Sequence, residues 1–178
     1  MEWNGRLKSL EYWGKMIESK HWRPIFSKVT ARNPWFTLNN LELAFKGLHR
    51  YLDPAKLTRW LEDYPKHASS YKTIGLIMAG NIPLVGIHDF ICCYLCGHQV
   101  VIKPSSQDNL LMTALIDLFC VADASAKRHI TVTNDLSHTK IDAIIATGSD
   151  NTNRYFKYQF GDIPGIIRHN RSSVGIIR

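Results

Sequence analysis

The sequence predicts an α/β fold: a parallel Rossmann-like sheet with helices on both faces, preceded by an α-helical N-terminal segment. Three observations predict it. Residues 1–70 carry apolar side chains at helical spacing, punctuated by capping residues and prolines. From residue 72 onward, short apolar and partly β-branched runs alternate with helix-length stretches. Those runs are continuously apolar rather than alternating, the pattern of strands covered on both faces.

The elements follow in order. Leu7, Leu10, Trp13 and Ile17 fall on one helical face, and Trp22-Arg23-Pro24 breaks that helix. Asn33-Pro34 is a second break. Thr37 is an N-cap for a helix with an apolar face of Leu38, Leu41, Ala44, Phe45 and Leu48. Asp53-Pro54 is a cap and first-turn pair for a short helix through Leu57, Trp60 and Leu61. Tyr64 to Ser70 reads as a linker, so the chain divides into a helical segment, 1–70, and an α/β domain, 71–178. Strands are predicted at Thr73–Ala79, Gln99–Lys103, His129–Thr133, Ile141–Ala146, Gly165–Arg168 and Val174–Ile177. Helices are expected over Pro83–Cys96, closed by Gly97, over the apolar stretch from Leu110 to Phe119, and over Asn151–Phe160.

Charge and cysteine content narrow the function. The net charge is +7, with 22 Lys and Arg against 15 Asp and Glu. The excess sits in residues 1–72 and 151–178, while residues 73–150, where the turn motifs lie, are acidic. No basic block of the kind that reads nucleic acid occurs, and dispersed cations suit a small anionic ligand. No apolar run reaches the roughly 20 residues of a membrane span. The N-terminus has no secretory h-region, so a cytoplasmic location is expected. Cys92, Cys93, Cys96 and Cys120 are the four cysteines. Cys93 and Cys96 have C-x-x-C spacing, but a second ligand pair for zinc is missing. The cluster therefore reads as buried structural thiols on an apolar helix, and no metal site is expected.

In a doubly wound sheet, ligands bind at the carboxyl ends of the strands. Three predicted strand ends carry suitable chemistry: Ala79-Gly80-Asn81, Lys103-Pro104-Ser105-Ser106 and Thr147-Gly148-Ser149. Parallel strands would bring all three to one rim. Gly148-Ser149 opens a helix, whose free N–H groups and dipole favour a pyrophosphate. Lys103 offers a point charge to a ribose or phosphate. Gly80 permits close backbone approach, and the Asn81 amide can donate to an oxyanion. Each cluster also has a plain structural reading as a turn, and neither G-x-G-x-x-G nor a P-loop is present.

The order and spacing of GLIMAGNIPLVGIHDFICCYLCGHQVVIKPSS and the later IIATGS resemble the aldehyde dehydrogenase superfamily. The wording AGNIP, with ATGS, RHNRSSV and the upstream NPWF, is closest to the LuxC-type fatty acyl-CoA reductase branch. The resemblance covers roughly residues 33 to 178. It implies that Asn81 helps hold the thioester or hemithioacetal oxygen, that Lys103 contacts the adenosine ribose or its 2′-phosphate with Ser105 beside it, and that Gly148 and Ser149 meet the pyrophosphate. It implies NADP(H) or NAD(H) as cofactor, an acyl-CoA or acyl-carrier thioester as substrate, an aldehyde as product, and homo-oligomers of the full-length protein. The superfamily nucleophile follows the last strand by some tens of residues, and none of the four cysteines matches it. The chain alone is therefore expected to be inactive and truncated before that residue. Arg168-His169-Asn170-Arg171 stands where hydrolytic members carry a Glu, which favours a reductase. Two alternatives stay open: a non-catalytic nucleotide- or coenzyme A-binding module, and a superfamily member acting on another aldehyde or an acyl phosphate.

Overall fold

A computed structural model describes residues 3–65, 70–168 and 174–175. Four helices come first: α1 (Trp3–Ser19), α2 (Arg23–Arg32), α3 (Leu38–Tyr51) and α4 (Pro54–Leu61). The alternating part follows as β1 (Thr73–Ile77), α5 (Ile87–Cys96), β2 (Gln99–Lys103), α6 (Asn109–Ala122), β3 (Ile130–Val132), β4 (Ala143–Thr147), α7 (Asp150–Phe160) and β5 (Gly165–Arg168). The predicted caps act as caps. Thr37 Oγ1 accepts the Asn40 N–H and Asp53 Oδ1 accepts the Lys56 N–H, each satisfying a helix-start donor. The expected break at Trp22-Arg23-Pro24 separates α1 from α2, and Pro24 lies in the first turn of α2, where its missing N–H costs nothing. Gly97 closes α5 at φ 81, with its own N–H bonded to the Tyr94 carbonyl and the His98 N–H to the Cys93 carbonyl.

The five strands form one parallel sheet in the order β3-β2-β1-β4-β5. Strand order reverses at β1, which lies between β2 and β4. Side chains of β1 alternate between two apolar clusters. Ile74 and Leu76 join the larger one, with α5, α6 and the N-terminal helices. Ile77 joins the smaller one, with Leu136, Ile144, Phe156 and Phe160. Helices therefore cover both faces, α5 and α6 on one and α7 on the other. The N-terminal helices dock on the α5–α6 layer. Trp13 of α1 meets Phe119 of α6 edge-on at 5.0 Å and Phe90 of α5 at 6.1 Å. Each such buried aromatic contributes about 1.5–3 kcal/mol. Arg6 Nη1 donates to the Leu95 carbonyl at 2.9 Å and ties α1 to the end of α5.

Several boundaries differ from those expected, and β1 stops at Ile77 rather than Ala79. Helix α5 begins at Ile87 rather than near Pro83, because Leu84 takes a left-handed conformation at φ 61 and holds Pro83–Gly86 in a turn. β3 is shorter than expected, and β4 begins at Ala143 after Asp142. The Asp142 N–H donates to the Thr73 carbonyl while its carboxylate accepts the Thr73 N–H, both at 2.8 Å. Of the strand expected at Val174–Ile177, Val174 and Gly175 are not in a strand, and 176–177 lie outside the described residues, as do linker residues 66–69.

Candidate functional site

Parallel pairing fixes where the three turn clusters meet. In register, Ile77 stands opposite Lys103 on one side and Ala146 on the other, so β1 and β2 end level and β4 runs one residue further. Thr147 is paired with Arg168 one residue further on. With strands about 4.8 Å apart, Lys103 and the Thr147–Gly148 turn stand roughly 10 Å apart, one on each side of the Asn81 turn. This rim is also the place where strand order reverses, the crevice at which open α/β sheets hold ligands.

Met78 follows β1, and its N–H bonds the Lys103 carbonyl at 3.1 Å, extending the pairing past the strand ends. Gly80 is buried against Ser105; a Cβ there would clash with the Ser105 side chain. The two turns therefore touch, and glycine is the residue that allows it. Asn81 is exposed at the tip. Lys103 and Ser105 are half-buried. The Ser105 hydroxyl accepts the Gln107 N–H at 3.3 Å, so it also shapes its own turn. The Gly148 N–H donates to the Arg168 carbonyl at 3.4 Å, which engages it in the β4–β5 pairing. Ser149 is exposed and directly precedes α7.

A buried carboxylate supports the Asn81 turn. Asp108 precedes α6, yet it does not cap that helix. Its Oδ2 accepts the Leu84 N–H at 2.8 Å instead, and Oδ1 has no hydrogen-bond partner among the described residues. Burial pushes its pKa up to about 7, against the opposing effect of the Leu84 N–H.

A second charged group on this rim escaped the sequence reading. Arg168, considered there for what it replaces, donates from Nη1 to Asp89 Oδ2 at 2.6 Å and comes within 3.5 Å of Thr147 Oγ1. Burial pushes the Asp89 carboxyl up, but hydrogen bonds from His88 and Arg168 outweigh it and hold the group below the usual carboxylate range. The pair joins the first turn of α5 to the end of β5. Seventy-nine residues separate the partners, so no local pattern announces it. Residues 169–171, the rest of the segment weighed in the sequence, lie outside the described residues.

The cysteines expected to be uniformly buried are not. Cys93 is buried, but Cys92 is half-buried and Cys96 exposed. His88, Cys92 and Cys96 fall four residues apart, on one stripe of α5 turned away from the sheet. Cys92 Sγ lies 3.7 Å from His88 Nδ1 and 3.8 Å from Nε2. The Asp89 carboxylate, 3.7 Å from Nδ1, and then Cys92 push the His88 imidazole well above its ordinary value.

The larger cavities lie away from the carboxyl rim. One of about 540 Å³ opens at the start of β2 and β3, lined by Arg6, Tyr94, His98, Arg128 and His129. Another of about 660 Å³ lies between α4 and α5. Neither includes any of the five sequence-predicted site residues.

The family model for acyl-CoA reductase (LuxC) matches residues 39–159, a span from α3 to α7 that contains all three turn clusters. The chain belongs to the acyl-CoA reductase (LuxC) family. No curated protein matches it. Among solved structures, the chain is similar to the glyceraldehyde-3-phosphate dehydrogenase GapN of Methanocaldococcus jannaschii complexed with NADP, at TM-score 0.67 and 16% identity, over 95% of this chain and 42% of that one. It is similar to an NAD-dependent benzaldehyde dehydrogenase of Corynebacterium glutamicum at 0.66 and 14%, over 95% and 42%. An acetylating aldehyde dehydrogenase of Geobacillus thermoglucosidasius follows at 0.63 and 11%, over 93% and 41%. At these identities the likeness is one of fold, and it places this LuxC-family chain in the aldehyde dehydrogenase architecture. The chain spans about two-fifths of the length of those structures. No described helix is long and apolar enough to cross a membrane.

Proposed function

We propose that this chain supplies the nucleotide-binding part of an NAD(P)H-dependent reductase that converts a fatty acyl thioester, carried on coenzyme A or a carrier protein, to an aldehyde. The observation that carries the reading is the row of adjacent strand ends on β2, β1 and β4, which brings Lys103, Asn81 and Gly148-Ser149 to one rim. Family membership supports the reaction class. Structural relatives include enzymes described as NADP-complexed and NAD-dependent, which supports the cofactor.

The rim residues fit a dinucleotide. Ser149 and the first turn of α7 offer donors and the positive end of a helix dipole to a pyrophosphate, with Gly148 keeping the approach open. Lys103, beside β1, reaches an adenosine ribose or its 2′-phosphate, with Ser105 in the same turn. The exposed Asn81 amide donates to the carbonyl oxygen of the thioester, where negative charge develops as the acyl carbon is attacked. Bound NAD(P)H supplies the hydride. The thiol that takes the acyl group in this superfamily has no match among Cys92, Cys93, Cys96 and Cys120, so this chain by itself binds nucleotide without turning over. We place the full-length protein in the cytoplasm as a homo-oligomer.

The test is calorimetric titration of the chain with NADPH and with NADH, alongside an assay with a long-chain acyl-CoA. Binding of either nucleotide without aldehyde formation is expected. Absence of binding to both overturns the cofactor reading, and aldehyde formation overturns the assignment of the thiol elsewhere.

A further inference from the structure

The cavity at the amino ends of β2 and β3 carries fixed positive charge in its wall. Its volume, about 540 Å³, lies within the range of small-molecule sites. Gln99 lines it, and Lys103 stands at the other end of that strand, about 13 Å away. Arg6 and Arg128 reach the cavity from different elements, α1 and the turn before β3. Arg6 is 8% exposed, and its guanidinium packs on Gly97, where a Cβ would clash with it. Nη1 is spent on the Leu95 carbonyl, which holds the charge in place and leaves the other N–H groups to a ligand. The turn that carries Arg128 is fixed as well. The Val100 N–H donates to the His129 carbonyl at 2.7 Å, and the His129 N–H to the Ala126 carbonyl at 2.8 Å. Arg128 forms no salt bridge among the described residues. His98 adds a donor: its Nδ1 accepts the Lys72 N–H at 3.3 Å, which leaves the ring proton on Nε2. Burial, and then the Arg6 and Lys72 cations, push the His98 imidazole below its ordinary value, so the positive field reaches that ring. Asp123 is the one carboxylate among the described lining residues. Its Oδ2 accepts the Tyr94 hydroxyl, and its Oδ1 accepts the Ser125 hydroxyl and N–H and the Ala126 N–H. Those bonds engage both oxygens in shaping the turn before Arg128.

We propose that this cavity is a second ligand site, which binds a small organic phosphate at the amino edge of the sheet through Arg6, Arg128 and His98. A phosphate monoester presents three acceptor oxygens, enough to meet donors from α1, from the turn after α5 and from the turn before β3 together. A planar carboxylate presents two and serves one guanidinium fork. Arginine is the side chain whose donor geometry matches phosphate, and two of them line this cavity. The volume exceeds that of the ion, and Tyr71, Val100 and Ile130 offer apolar surface to the organic body. None of the rim residues lines the cavity, so the proposal stands independently of the reductase reading.

The test titrates the 178-residue chain with phenyl phosphate, inorganic phosphate and phenol, and follows backbone amide shifts by NMR. Phenyl phosphate has no nucleoside for the rim to hold. It is expected to shift the Gly97, His98 and Arg128 amides and to bind at least about 10-fold more tightly than inorganic phosphate or phenol. R128Q should weaken it at least about 10-fold, because a charge-assisted contact is lost, and should leave the Tm of the unliganded chain unchanged, because Arg128 is exposed. K103A should leave its affinity unchanged. Shifts at Gly148 and Ser149 in place of those three, or an affinity that K103A lowers and R128Q does not, would put the phosphate on the rim and overturn the proposal. Equal affinity for phenyl phosphate and inorganic phosphate would overturn it too, since the organic body would then be unrecognised. So would the absence of shifts at Gly97, His98 and Arg128 in the unaltered chain, whatever the variants do.

Discussion

Asp108 holds Leu84 across 24 residues of sequence, through a 2.8 Å hydrogen bond from the Leu84 N–H to a carboxylate that is 2% exposed. Leu84 is the described non-glycine residue with positive φ. A non-glycine residue there costs of order 1 kcal/mol and persists where its surroundings enforce it. Asp108 therefore positions the turn that carries Asn81. Its folded pKa of about 7 lies above the unfolded value, so this group stabilises the fold relatively at low pH, and that contribution is lost as pH rises from about 4 through 7. The full swing corresponds to about 4 kcal/mol as an order of magnitude. D108N should flatten the dependence of Tm on pH between 5 and 8, because Asn keeps an acceptor for Leu84 without a charge. D108A should lower Tm at every pH. Thermal unfolding across that range checks both, and an unchanged pH slope in D108N would remove Asp108 as the titrating group.

Contact between the Asn81 turn and the Lys103 turn depends on Gly80 having no side chain. A Cβ at Gly80 would meet Ser105 Oγ and Cβ together, with Gln107 Cβ at 3.3 Å. G80A should therefore destabilise by about 1–3 kcal/mol, the usual cost of overpacking. S105G removes both of the closest atoms, so G80A/S105G should recover much of that loss. Urea unfolding of the two singles and the double gives the coupling. Additive losses would show that the turns do not press on each other.

Much of this arrangement was legible in the sequence, for reasons that differ between residues. Thr37, Asp53 and Gly97 act within four residues of their own position, so caps and stops could be read locally. The apolar runs of β1, β2 and β4 are covered on both faces, which made them continuous and visible. The rim followed from parallel topology alone. Asp89–Arg168 and Asp108–Leu84 were not legible, because each joins residues that chain folding alone brings together. The outward stripe of His88, Cys92 and Cys96 was hidden for another reason. Helix α5 is apolar on most of its circumference, and two cysteines on its outer side look like core residues until α4 is placed against them.

The Asp89–Arg168 pair should matter more to β5 than to the whole fold. Arg168 ends an edge strand, and its guanidinium is the group that reaches α5. R168A should cost about 1–2 kcal/mol, at the low end for a charge-assisted hydrogen bond because the Arg168 side chain is 35% exposed. The Asp89 carboxyl is depressed, so its contribution is present above its unfolded pKa and is lost as pH falls through the lower folded value. Hydrogen exchange at pH 7 should show faster exchange at Ile166, Ile167 and Gly148 in R168A, with β1 and β2 unchanged. Uniform acceleration across the sheet would mean that the pair supports global stability rather than the β5 edge.

Lys103, Ser105 and Ser149 make different demands on a bound nucleotide, and the geometry separates them. Lys103 ends β2 beside the Asn81 turn, and Ser149 is exposed and directly precedes α7. The Ser105 hydroxyl is already engaged by the Gln107 N–H and pressed against Gly80. Removing a charge-assisted contact costs about 1.5–3 kcal/mol, so K103A should weaken NADPH binding by about 10-fold or more, and the loss should shrink at high salt. S149A removes one neutral hydroxyl donor and should cost about 0.5–1.5 kcal/mol, a few-fold in affinity. S105A should change nucleotide affinity less than either and lower Tm instead, since it loosens the turn. Should K103A favour NADH over NADPH, the lysine meets the 2′-phosphate; equal weakening of the two places it on the ribose. Calorimetry on the three variants with both nucleotides distinguishes these outcomes, and unchanged affinity in K103A and S149A together would remove the rim from the cofactor site.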